Sequence, residues 1–347
     1  MAKKQKEKLD YGALIKQLRE NGPERLYLLW GEEDYLREQF LSEIIVLCLD
    51  DGTDEFNHRR FNSENFSLAA FREALDAMPF FGSKILIAVQ DFDINKAKDD
   101  VFSELQTLLS DIPDYCTVVF SLSRGYEPDG RLSAFKLFKK LGTVVEFTSQ
   151  SQSALLNWVS RRFTAAGKRI GRAEAEHLIF NCGSLMNNLI LEIDKVASYA
   201  DGENITKQDI DTVTTPTPEA NVFNMTDCIA SRDFDRAFSI LSELLGMREE
   251  PIMILAIIGQ QMRRLLAARI ALDSGKGTQY VIEVCEQRYD FIAKKLISGA
   301  RLFEMYSIVH AVELCADTDY AMKTGGGDSC ELLKELLCHL AVGDSCV

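Results

Sequence analysis

Apolar residues recur along the first part of the chain in two alternating ways, as short unbroken runs and at helical spacing. The runs at 26–30, 85–89, 117–122 and 144–147 predict strands, as does the more polar segment 55–61, and the segments at 11–19, 35–49, 68–78, 101–109 and 134–141 predict helices. Unbroken apolar strands separated by helices imply a mainly parallel sheet covered on both faces. From Ser149 the pattern turns wholly helical. Leu155, Val159 and Phe163 share one helix face that stops at Gly167, and helices follow at 173–182, 186–199 and 207–213. The run Thr214-Thr-Pro-Thr-Pro218 reads as a linker. Beyond it every strong pattern is helical again, at 222–230, 234–245, 251–272, 281–287, 290–299, 302–323 and 330–340. Three domains follow from this reading: an α/β domain over 1–148, a small helical domain over 149–215 and an all-α domain over 216–347.

The first domain turns on residues 78–89, where a helix ends and a buried strand begins. Ser67 is placed to cap the helix that carries Leu68, Phe71, Leu75 and Met78 on one face, and Pro79 forbids a further turn. Gly82 separates the pair Phe80-Phe81 from the run Ile85 to Val89. Two adjacent aromatics on such a corner cannot both point into one core. Either they plug the bottom of the helix and sheet, or they stand exposed as an anchor for a partner's pocket.

An alternating parallel sheet is a nucleotide-binding architecture, so the turn after the first strand matters. A phosphate cradle there requires G-x-x-x-x-G-K-[ST], with backbone amides and a Lys at a helix N-terminus. The turn is Gly31-Glu-Glu-Asp-Tyr-Leu-Arg-Glu-Gln39, with one Gly, no Lys, and three carboxylates where a triphosphate would sit. Glu32, Glu33 and Asp34 complement the helix dipole themselves. Asp91 and Asp93, after the third strand, read as loop carboxylates. An active ATPase, such as a helicase loader, is the rival reading and needs the chemistry this turn lacks.

Composition narrows the choices. At 347 residues, 46% hydrophobic and 27% charged, the chain reads as an ordinary globular protein without a membrane span, and its charged N-terminus is not a secretory signal, so a cytoplasmic location is expected. A net charge of −14 argues against binding nucleic acid alone, since phosphate neutralisation needs a basic surface. The local exception is the strip Arg161, Arg162, Lys168, Arg169 and Arg172, the best candidate for touching DNA phosphates. Nine cysteines without a C-x-x-C pair read as reduced thiols, and the four histidines show no metal spacing, so neither metal nor cofactor is expected.

The corner resembles the clamp-binding corner of the delta subunit of the bacterial DNA polymerase III clamp loader. There a Met is followed, two positions on, by a hydrophobic residue and a Phe that enter a pocket of the sliding clamp. The stretches "LYLLWGEEDYLREQ", "GSLMNNLILEIDKVASYADGENIT", "VFNMTDCIASRDFDRAFSILSELL", "IIGQQMRRLL" and "CADTDYAMKTGGGDSCELLKELL" are similar to the same family, in the same order. The resemblance implies an AAA+-like first domain without a working nucleotide site, a helical lid and a helical collar. It implies that Met78, Phe80 and Phe81 grip the clamp; Asp76 stands where such motifs commonly open with Gln. The implied partners are the sliding clamp (beta subunit), loader subunits of the gamma/tau and delta prime type bound through the collar, and primer-template DNA within the assembly. The implied role is to open the clamp, as a non-enzymatic part of the DNA polymerase III holoenzyme.

Overall fold

A computed structural model describes residues 11–50, 52, 54–80, 82–96, 99–247 and 249–342. Phe81 and the basic N-terminal tail therefore lie outside the described residues. The chain divides into two compact units, Met1–Ser149 and Gln150–Val347.

In the first unit the order is α1 (Tyr11–Asn21), β1 (Leu26–Gly31), α2 (Asp34–Cys48), α3 (Asp54–Asn57), β2 (His58–Phe61), α4 (Leu68–Asp76), β3 (Ile85–Gln90), α5 (Asp99–Ser110), β4 (Cys116–Ser121), α6 (Ser133–Leu141) and β5 (Thr143–Phe147). The strands form a parallel sheet in the order β2-β3-β4-β1-β5, in keeping with the parallel sheet expected. Alternate strand residues face opposite sides. Leu26, Leu28, Ile85, Ile87, Val118 and Phe120 join Phe71, Leu75, Leu105, Leu109 and Phe138 in one core. On the other side Tyr27 meets Phe40 of α2, with ring centroids 6.0 Å apart. Both faces of the central strands β1, β3 and β4 are buried, which is why these read as mostly apolar runs, whereas β2 at the sheet edge is only partly buried.

Two expectations for this unit are corrected. The segment 55–61 is not one strand, because residues up to Asn57 make a single helical turn and only His58–Phe61 pairs with β3. The helix at 68–78 ends two residues early. Ser67 caps α4, its hydroxyl accepting from the Ala70 amide at 3.1 Å, but the chain is already extended at Ala77 (ψ 143°). Pro79 excludes the residue before it from the helical region, and the helix closes a full residue ahead of that limit.

The second unit runs α7 (Gln152–Ala165), β6 (Arg169–Ile170), α8 (Arg172–Cys182), α9 (Met186–Tyr199), β7 (Asn204–Ile205), α10 (Lys207–Val213), α11 (Pro218–Ala230), α12 (Phe234–Gly246), α13 (Pro251–Asp273), α14 (Thr278–Val284), α15 (Asp290–Ala300), α16 (Met305–Thr324) and α17 (Ser329–Val342). It is not wholly helical, since β6 and β7 pair in parallel. Two residues each are too few to show alternation. The expected boundary near 215 lies inside this unit, where the Thr217 amide bonds the Asn181 carbonyl at 2.8 Å and Pro218 opens α11 in the position that needs no amide. Long α13 packs against α15, α16 and α17, and α16 ends on Gly325 in the left-handed region (φ 78°).

Candidate functional site

The corner after α4 is built from both sides. Asn57, only 1% exposed, reaches across 23 residues of sequence to the backbone of Phe80: its Oδ1 accepts from the Phe80 amide at 2.8 Å and its Nδ2 donates to the Phe80 carbonyl at 2.9 Å. One side-chain amide thus replaces a strand partner and holds the corner in a single backbone conformation. Gly82 is required beside it, because a Cβ there would come within 2.9 Å of Asn57 Nδ2.

The pinned corner turns its apolar side chains outward. Met78 is 73% exposed and Phe80 is 49% exposed. Phe80 is therefore not a core plug. Its ring rests on that of Phe56, at a centroid distance of 5.0 Å and an interplanar angle of 44°. Phe56, also 49% exposed, escaped the sequence reading because it was placed in a strand. Replacing Asn57 by alanine is expected to lower the stability of the first unit by about 1–2 kcal/mol, the usual scale for loss of buried hydrogen bonds. Hydrogen exchange at the Phe80 amide should accelerate at the same time; unchanged exchange would contradict the pinning.

The crevice at the carboxyl ends of β1 and β4, where open parallel sheets bind ligands, is filled by the chain's own groups. Gly31 (φ 135°) lies so close to β5 that a Cβ would sit 2.2 Å from the Phe147 carbonyl oxygen. The Glu33 amide, which would face a phosphate in a cradle, donates to that same carbonyl at 3.1 Å. Arg37, 3% exposed, extends into the crevice. Its guanidinium donates to Ser121 Oγ, pairs with Asp34 at 2.8 Å and reaches Ser123 Oγ at 3.4 Å. Asp91, at φ 55°, accepts from the Ser123 amide at 2.7 Å and hydroxyl at 3.1 Å. Asp93 pairs with Lys96 at 3.0 Å. A cation, two hydroxyls and two carboxylates therefore satisfy one another there.

The basic strip is largely drawn into local contacts. Lys168 donates to the Ala200 and Gly202 carbonyls just past the C-terminus of α9, where a cation meets the helix dipole. Arg169 pairs with Glu203 at 3.1 Å and Arg172 with Glu176 at 2.9 Å. Arg162 lies over the Trp158 ring at 5.8 Å, and Arg161 is exposed. Among the described residues no three His, Cys, Asp or Glu side chains gather as a metal site, and no helix is long and apolar enough to cross a membrane. Burial pushes the Cys116 and Cys182 thiols up to about 12, and the Cys315 thiol up to about 11.

The family model for the DNA polymerase III delta subunit matches residues 27–148, and the model for the C-terminal domain of that subunit matches residues 219–340. The chain is 28% identical over 331 residues to DNA polymerase III subunit delta of Bacillus subtilis (strain 168), covering 94% of this chain and 95% of that protein. It is 22% identical over 326 residues to a probable DNA polymerase III subunit delta of Aquifex aeolicus (strain VF5), covering 90% of each. Among solved structures, the Bacillus subtilis DNA clamp loader delta protein superposes with a TM-score of 0.54 at 26% identity, over 96% of this chain and 99% of that one. Two models of one subunit match both units of the fold, and the relatives align from end to end: the chain belongs to the DNA polymerase III delta subunit family.

Proposed function

We propose that this chain is the clamp-loader subunit that binds the ring-shaped sliding clamp and opens it for loading onto primed DNA during replication, in the cytoplasm. The observation that carries the reading is the corner itself: Met78 and Phe80 stand exposed on a backbone held from behind by a buried amide. Exposed apolar side chains on a fixed backbone are what interface anchors look like, and a pinned backbone lowers the ordering cost of docking. Phe81, next in sequence, is the second anchor. Residues 1–148 act as the clamp-binding domain, 149–215 as the lid and 216–347 as the collar that joins the gamma/tau and delta prime type subunits. Arg161 and Arg162 are the members of the basic strip best placed to approach primer-template DNA, because Lys168 and Arg169 already hold partners.

The subunit works without a nucleotide of its own, since Arg37 and the Glu33 amide occupy the positions where phosphates would be held. Calorimetric titration of the chain with its organism's sliding clamp, in the absence of nucleotide, should give saturable binding. The same experiment with Mg-ATP at micromolar concentration should give none. Saturable ATP binding would return the chain to the active ATPases.

A further inference from the structure

We propose that the surface offered to the clamp is a two-ring surface, Phe56 beside Phe80, and that it fits an apolar pocket wide enough to cover both rings. This rests on the reading of the corner as the clamp anchor. The two rings stand 24 positions apart in the chain and are locked together twice, through the ring contact at 5.0 Å and through Asn57, which follows Phe56 and bonds both backbone groups of Phe80. Each ring is half exposed. A partner pocket that closes over Phe80 therefore also removes water from the outer half of Phe56, and the pair docks as one preformed body rather than as a flexible side chain.

The test uses the full chain and the sliding clamp of the same organism, with affinity followed by surface plasmon resonance. Phe56→Ala should weaken binding about 5- to 20-fold, the effect of truncating an interface side chain short of a central hot spot. Its melting temperature should hold, because half of the ring is already in water. If Phe56→Ala binds within twofold of the parent while Phe80→Ala does not bind, the two-ring surface is wrong and the anchor reading stands. If neither change affects binding, the anchor reading itself fails. Should Phe56→Ala melt lower, Phe56→Leu decides, since it keeps an apolar side chain against Phe80 but loses the ring: a several-fold loss of affinity supports the proposal, and parent affinity overturns it.

Discussion

Arg37→Ala is expected to cost the first unit about 1–3 kcal/mol, the scale seen when a buried polar group, here the Ser121 hydroxyl, is left without its partner. The guanidinium is 3% exposed and links the start of α2 to the end of β4 and the loop beyond it through Asp34, Ser121 and Ser123. Without it the Ser121 hydroxyl, 3% exposed, loses its partner away from water, while the Asp34 carboxylate, 28% exposed, is left to solvent. Arg37→Lys should recover only part of the loss, since an ammonium cannot present the planar fork that reaches three groups at once. Thermal unfolding of the three proteins measures the effect. A melting temperature for Arg37→Ala within about 2 °C of the parent would mean that the crevice does not depend on its internal cation, and the case against a nucleotide there would weaken.

The elements that the sequence made legible are those whose cause is local. The strands from Leu26, Ile85 and Cys116 are mostly apolar because helices cover both faces of the sheet, and Ser67, Pro79 and Gly82 mark the corner through rules that act within a few residues. What escaped has its cause elsewhere in the fold. Phe56 and Phe61 look like two faces of one strand, but Asn57 leaves the strand to bond Phe80, a contact with no trace in local spacing. Arg37 follows Asp34 at a spacing that permits a helical pair, yet its burial depends on Ser121 in a distant strand. Lys168 looked like part of a basic strip, and its ammonium instead meets carbonyls 32 and 34 residues away. The corner is therefore legible in the sequence, which leaves Phe80 open between core and exposed anchor, while Phe56 beside it is not legible there.

The clamp-binding reading makes the larger functional prediction. Changing both Phe80 and Phe81 to alanine is expected to weaken clamp binding by ~2 to 4 kcal/mol or more, roughly 30- to 1000-fold, because central aromatic anchors carry most of the energy of such interfaces. For Phe80 the fold should not notice, since its ring is already half in water and the Asn57 bonds go to its backbone, which alanine keeps. The single change Phe80→Ala therefore separates the two roles a phenylalanine can have at this place: a core ring would cost ~3 to 5 kcal/mol of stability, an anchor ring costs affinity. The most direct measurement is the calorimetric affinity of Phe80→Ala, and of the double variant, for the sliding clamp without nucleotide, alongside their melting temperatures. The account predicts a large loss of affinity in both, with the Phe80→Ala protein melting like the parent; parent-like affinity in the double variant would contradict it.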